Sequence, residues 1–599
     1  MPSCFEDLDS TKSLEGRYVL QRTEEIAERG ITISMYNHEP TGASIMLIDA
    51  PDQNKCFSVN FRTLPKDNTG VPHILEHSVL CGSQRYPSKE PFVDLLKGSL
   101  KTFLNAMTAA DKTMYPVASQ NKQDFFNLVN VYLDACLNPR ILDAEHGPRI
   151  LKQEGWHYML TDVDEPLKYS GVVYNEMKGV YSQPDQTNAK AVRQALFAGH
   201  PIYSIDSGGD PRAIPTLEYE AFATFHKTYY HPSNAFFYVY GDPDELPHTE
   251  RLALIDEYLR EYRAPAPVEA IPSQPLVATP YEVTKAYAVD AEAVSAPTQF
   301  VTVAWLLNAA PLEPKTELAL MVLNDLLLGL PSAGLQKPLL ESRLGASVIG
   351  GGFGLSLQQA SFAVGLKGVA PGAEAKAAVS DLILSSLSRI AEEGFPEDAV
   401  EAAMNSAEFQ LRSTSASPMK GLSFGMGAVA AWTYERDPIE PLRFADSLAA
   451  LKDDVARSGA GVFVSLLKEL VLTNGHRVTV ALVPEPELAQ QVQDEEDGEL
   501  EAMGNTLDAK GKLRVLEETS ALRAAQAAPD DPAALATIPQ LSTADLNLEC
   551  PPAAPTEVST ISLGGRASAT LLTNELPTDG IMYVTGLDPP TAGLSPGLL

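Results

Sequence analysis

An α+β fold, repeated along the chain, is what this sequence predicts, and three observations predict it. Between Ile31 and Thr63, short β-branched segments alternate with Pro, Gly, Asp and Asn turns, the pattern of paired strands. Apolar residues three and four apart then mark amphipathic helices over Lys122–Leu137 and Asp143–Leu160. Beyond a Pro/Ala-rich stretch the alternation of strands and helices starts again near Tyr281. A chain of 599 residues is also too long for one hydrophobic core, so three or more units are expected.

In chain order, Ile31–Tyr36, Ser44–Ile48 and Cys56–Arg62 read as strands. A helix follows directly, with Pro72 in its first turn, where a missing N–H costs nothing, and Thr69-Gly70 as punctuation before it. Asn105–Ala110 and Thr113–Ser119 read as a pair of strands. In the helices that follow, Phe125, Leu128, Val129 and Leu137 are core residues by spacing. Gly171–Tyr181 is helical, Phe225–Ala235 reads as a helix end and a turn, and Phe236–Tyr240 as a closing strand. These complete a first unit over residues 1–262, with 263–280 a linker. The second unit, 281–484, has a strand at Phe300–Leu307, helices at Thr316–Leu330, Glu374–Glu393, Pro396–Leu411 and Gly459–Leu472, and a strand at Arg477–Val483. Its Gly350-Gly-Gly-Phe-Gly lacks a following Gly-Lys-Ser/Thr, so Gly345–Gly354 reads as a flexible loop, not a phosphate cradle. Leu and Ala at helical spacing make residues 485–545 a helical hairpin, acidic at Asp494-Glu-Glu-Asp. In 546–599 a third unit begins: Thr573–Tyr583 echoes Asn37–Leu47 in one ungapped register, sharing the Glu and the Ile-Met pair.

The chemistry centres on Gly70-Val-Pro-His-Ile-Leu-Glu-His. His73, Glu76 and His77 stand at i, i+3 and i+4, one helix face, so two imidazoles can grip one cation while a carboxylate faces the same spot. A plain surface helix is the alternative for such a trio. A third ligand is sought among the remaining acids. Glu176 lies between Val172, Val173 and Val180, a face on which a carboxylate is costly unless paired or metal-bound. A salt-bridged Glu176 fits that setting equally, and Glu154, His157 and His146 are rival ligands that spacing does not eliminate.

Composition narrows the classes. The net charge of −33 and pI near 4.7 exclude general affinity for nucleic acid. Solubility accounts for the charge, and attraction of basic peptides into an acidic cavity is the sharper reading. No apolar run is long enough to span a membrane. The acidic start Met1-Pro-Ser-Cys-Phe-Glu shows neither a signal nor a transit peptide, which leaves a cytosolic protein or one whose targeting segment lies outside this chain. Five scattered cysteines without a CxxC argue against disulfides and thiolate metal sites, and for a reducing compartment.

The motif continues into Cys81-Gly-Ser-Gln-Arg-Tyr-Pro-Ser-Lys-Glu-Pro-Phe92 and Phe103-Leu-Asn-Ala-Met-Thr-Ala109, and with them the sequence resembles the pitrilysin family of zinc metallopeptidases, in its presequence-protease branch. The resemblance implies repeated α/β units, antiparallel-rich sheets with packed helices, two complete and a third begun. It implies one Zn2+ per chain held by His73, His77 and Glu176, the last because that branch carries its distal ligand in a stretch like Tyr174-Asn-Glu-Met-Lys-Gly179. Glu76 would be the catalytic base. Asn105 and Ala106 match an edge strand on which extended peptides dock, and Leu80, Phe92 and Leu96 match a pocket beside the cut bond, though core packing explains these three as well. The implied activity is degradation of unfolded, basic peptides such as cleaved targeting presequences, in the mitochondrial matrix or chloroplast stroma. The resemblance covers only the first half of that architecture. The alternative is therefore a catalytically silent half that binds peptides or needs a separate C-terminal partner, and a processing peptidase is a further reading.

Overall fold

The computed structural model describes Leu14 and residues 16–263, 269–289, 298–546, 556–564 and 567–574. The first sheet is built from β1 (Tyr18–Ile26), β2 (Ile31–His38), β3 (Ala43–Asp49), β4 (Lys55–Arg62), β5 (Lys101–Leu104), β6 (Met107–Thr108) and β7 (Lys112–Ser119). β8 (His157–Met159) and β9 (Lys168–Ser170) form a separate ribbon, and β10 (Ala235–Gly241) returns to the main sheet. The order is β1-β2-β3-β10-β4-β7-β5, with β6 also on β7, and only β3/β10 are parallel. β10, the strand expected at Phe236–Tyr240, lies at the centre of the sheet between β3 and β4 and is buried throughout.

Alternation along the strands gives the sheet two covered faces. Phe57, Val59 and Phe61 of β4 and Phe237 and Val239 of β10 face one core, which includes the helix Val71–Val79 and the helix Lys122–Leu137. Cys56, Tyr238 and Tyr240 face a second core, shared with Phe424, Ala428 and Val429. Those three belong to the helix Lys420–Thr433 of the second unit. It lies so close that a Cβ at Gly421 would come 2.5 Å from the Tyr240 ring and one at Gly425 would come 2.8 Å from Tyr238. Tyr238 seals the contact by donating to the Gly421 carbonyl at 2.6 Å. On this helix, Gly421→Ala should lower stability, because overpacking costs about 1–3 kcal/mol against the roughly 1 kcal/mol that alanine gains in a helix. Gly427→Ala should raise it, since its Cβ would meet only Pro441 at an ordinary 3.5 Å. Thermal melts should rank the three proteins Gly427→Ala, wild type, Gly421→Ala; the reverse order would refute the packing.

The second sheet contains β11 (Tyr281–Ala288), β12 (Gln299–Leu306), β13 (Ser347–Gly354), β14 (Ser361–Val369) and β15 (Arg477–Glu485), in the order β11-β15-β12-β14-β13. The stretch expected as a loop at Gly345–Gly354 is thus an edge strand. Gly350, Gly351 and Gly352 take positive φ values, and a bulge between Ile349 and Gly352 absorbs them while pairing with β14 continues. One face of this sheet packs the second unit's own core of Val301, Val303, Trp305 and their partners. Its other face meets the helix Pro184–Leu196 of the first unit: Asn188 donates to Thr302 at 3.2 Å, and His476 Nε2 bonds the Leu196 carbonyl at 2.9 Å. Each unit therefore lends a helix to the other's sheet.

Other differences have local causes. The helix expected over Asp143–Leu160 is shorter: His146–Ile150 runs into a π turn, Leu151–Gly155, and the chain is extended by His157. The strand expected at Asn105–Ala110 is broken. Asn105 and Ala106 sit between β5 and β6, opposite Pro116, which has no N–H to offer the ladder; Asn105 N–H still reaches the Pro116 carbonyl at 3.3 Å. The residues 488–506 and 509–527 form two helices, Leu488–Thr506 and Ala509–Ala527, as a hairpin. Beyond it, β16 (Thr556–Gly564) pairs with β17 (Ala567–Asn574). The register that relates Thr573–Tyr583 to Asn37–Leu47 sets β17 on β2 residue for residue; most of that echo, from residue 575 on, lies outside the described residues.

Candidate metal centre

The motif helix begins where it does because Gly70, at φ 70°, caps it in the left-handed region, and because a Cβ there would strike the Gly208 carbonyl at 2.7 Å. That close approach brings the loop Asp206–Asp210 over His73. The loop is pinned by Asn68, whose side chain accepts from Asp206 N and whose carbonyl accepts from Asp210 N, each at 2.8 Å.

His73, His77 and Glu176 each offer one ligand atom, and these atoms lie within 4.8 Å of one another; among the described residues it is the one such group of His, Cys, Asp or Glu. Glu176 Oε2 is 3.8 Å from His73 Nε2 and 3.7 Å from His77 Nε2. The two rings stand nearly edge to face, 5.0 Å apart. Both rings turn their other nitrogen to an acceptor. His73 Nδ1 lies 3.1 Å from the Gly208 carbonyl, and His77 Nδ1 lies 3.5 Å from Glu154 Oε2. Carbonyl and carboxylate oxygens only accept, so in the neutral rings Nδ1 carries the hydrogen and Nε2 keeps its lone pair. An outer partner on Nδ1 and a free Nε2 is how metal-binding histidines are oriented. Two imidazole nitrogens and one carboxylate oxygen are donors that suit zinc, with a fourth position left for water or substrate.

Burial works against the charged form of His77, but the Glu154 hydrogen bond and the charges of Glu76, Glu154 and Glu176 outweigh it and raise its pKa. A cation is thus favoured here. Burial, and then Glu154, push the thiol of neighbouring Cys81 well above its ordinary range, and Cys81 is not among the three residues whose ligand atoms converge.

Glu154, a rival ligand by sequence, is buried behind His77 as its orienting partner. Its part was not read from the sequence, nor was that of Gly208, for which the Gly208-Gly209 pair was the available sign of a tight loop. His157 Nδ1 is bonded to the Lys152 carbonyl at 2.6 Å, and His146 stands beside Asp143 at 3.4 Å. Glu176 is not in the apolar setting that its neighbours implied: its side chain is 47% exposed, and Val172 points to solvent while Val173 is buried. The helix Val172–Tyr181 starts against the π turn, where a Cβ on Gly171 would come 2.1 Å from the Gly155 carbonyl.

Glu76 is half-buried on the motif helix between the two histidines. Its charge adds to burial in raising the phenols of Tyr115, Tyr132 and Tyr230. Leu80 and Phe92 pack against the main core, Phe92 with its ring 6.1 Å from Tyr132, and Leu96 is half-buried in the helix Pro91–Gly98. Core packing accounts for Leu80 and Phe92 as the structure stands. Asn105 is exposed and Ala106 half-buried at the sheet edge.

Comparison with known proteins places this geometry in context. Three family models match: insulinase (peptidase family M16) over residues 62–156, the peptidase M16 inactive domain over 216–407, and a region associated with the C branch of the same peptidase family over 482–592. The chain is 44% identical over 553 residues to presequence protease 1, chloroplastic/mitochondrial, of Arabidopsis thaliana, covering 92% of this chain and 50% of that one. It is 36% identical to protein HypA of Clostridium perfringens (95% and 56%) and 32% identical to the mitochondrial presequence protease of Danio rerio (94% and 54%). The chain thus spans about half the length of these relatives. Among solved structures, a protease from Helicobacter pylori is similar with TM-score 0.56 at 16% identity, over 74% of this chain and 98% of that one. The periplasmic protease PqqL from Escherichia coli is similar with TM-score 0.52 at 14% identity, over 93% and 55%. These likenesses concern the fold.

Proposed function

Because this chain belongs to the M16 peptidase family, we propose that it is a zinc-dependent metalloendopeptidase that degrades unfolded peptides, such as cleaved mitochondrial or plastid presequences. The observation that carries the reading is the cluster of His73, His77 and Glu176 ligand atoms within 4.8 Å, with Glu76 on the same helix. The substrate class and an organellar setting rest on relatives named presequence proteases, mitochondrial or chloroplastic. The net charge of −33 agrees with basic substrates.

Zinc, held by His73 Nε2, His77 Nε2 and a Glu176 oxygen, would supply the Lewis acidity that peptide hydrolysis at neutral pH needs. The chain's own residues do the rest. Gly208 and Glu154 fix the two rings, so no ligand has to reorient during turnover. Glu76 takes the proton of the attacking water on its carboxylate and hands it to the leaving amine, the work of a general base turned acid. The edge formed by β5 and β6 binds an extended peptide through main-chain hydrogen bonds. Asn105, whose N–H is held by the Pro116 carbonyl of β7, and Ala106 lie on this edge, and the peptide would add along its side away from β7.

The test is to assay the purified chain on an unstructured basic peptide, with and without a chelator. Cleavage that stops with chelator and returns with one equivalent of zinc is expected; chelator-insensitive cleavage, or a chain that retains no zinc, would overturn the reading. Zinc held without turnover would assign the reaction to this chain joined to the further half that its relatives carry.

A further inference from the structure

Behind the metal-ligand cluster, away from the ligand atoms, lies the helical hairpin Leu488–Ala527. Three of its acids each reach a different element of the centre. Glu496 accepts from Tyr174 OH at 2.9 Å and pairs with Lys178 Nζ at 2.8 Å. Tyr174 and Lys178 are four residues apart on the helix that carries Glu176, on the face opposite to it. Glu495 meets Arg212 at 3.1 Å, two residues past the loop Asp206–Asp210 whose Gly208 carbonyl orients His73. Glu518 meets Lys152 at 2.7 Å in the π turn that carries Glu154, the partner of His77.

We propose that the hairpin is a brace for the metal centre, with Glu495, Glu496 and Glu518 as positioning residues, one for the support of each ligand. The proposal rests on the zinc reading above. An exposed ion pair alone holds little, and the Arg212 and Lys152 pairs are exposed. Glu496 is the strongest of the three, its side chain only 18% exposed and bonded twice. What makes the set a brace is its distribution: one hairpin reaches the helix, the flank of the loop and the turn, the supports of all three ligands. An apolar seam of Leu160, Leu167, Leu500 and Val515, with Thr519 Oγ1 accepting from Leu160 N at 3.2 Å, fixes the hairpin so that its acids bear on these elements.

The experiment compares zinc affinity, by competition with a chelator, and the visible spectrum of the Co2+-loaded chain. The variant Glu495→Gln/Glu496→Gln/Glu518→Gln should hold zinc about 10–100-fold more weakly, the range for loss of outer partners, and its Co2+ bands should shift. The control Asp494→Asn/Glu501→Gln/Glu517→Gln removes as much charge from the same hairpin and should leave both within about twofold, because no ligand support depends on it. Wild-type affinity in the first variant, or equal weakening in the control, overturns the brace. Should the first variant not fold, Glu496→Lys and Lys178→Glu decide alone: each weakens zinc and the two together restore it, or the proposal falls. A wild-type chain without zinc affinity would instead refute the metal reading itself.

Discussion

Glu76→Gln is expected to lower kcat/KM on an unstructured peptide by about 10²–10⁴-fold while zinc stays bound. The amide has the size of the carboxylate but cannot take up the proton of the attacking water. Retention of zinc follows from geometry, since the ligand atoms belong to His73, His77 and Glu176. The measurement pairs steady-state kinetics with metal content on the same preparation. Cleavage within tenfold of wild type would remove Glu76 from the reaction, and loss of zinc in Glu76→Gln would make it a ligand.

The second large effect separates the two glutamates near His77. Glu154→Gln removes a charge from the outer side of the ring, and zinc affinity should fall about 10–100-fold, as for other outer partners. Glu176→Gln replaces a charged ligand with a neutral amide and should cost more than that. Chelator competition on both variants gives the order. If Glu154→Gln proved the more damaging, the buried carboxylate would be the ligand and the exposed one its accessory. Fold loss is not expected from Glu176→Gln, because its side chain is 47% exposed and packs no core.

Legibility in the sequence followed local periodicity. Lys122–Leu137 has the same bounds in sequence and structure because its apolar spacing and an Asn121 cap, accepting from Asp124 N, agree. The strands β2, β3 and β4 announced themselves by β-branched runs between turns. β1 did not: Tyr-Val-Leu-Gln-Arg-Thr-Glu-Glu-Ile lies at an edge, largely exposed, so no burial pattern marks it. The helix Lys420–Thr433 escaped because Gly421, Gly425 and Gly427 speak for a loop, whereas two of them admit tyrosine rings from the other unit. That is a tertiary reason with no local trace. At the centre, the i, i+3, i+4 spacing told that His73, Glu76 and His77 share a helix. That Glu154 and the Gly208 carbonyl stand behind the rings depends on loops returning from far along the chain, which spacing does not encode.

The exchange of helices between the two sheets has a further consequence. Residues 263–280 divide the chain, but they do not divide its cooperativity: Tyr238 and Tyr240 lose their cover if the second unit melts, and Thr302 and His476 lose theirs if the first one does. Ligand-free or loaded, the pair should cross its melting transition as one body, and whatever zinc adds to the first unit is shared by a second that holds none of the ligands.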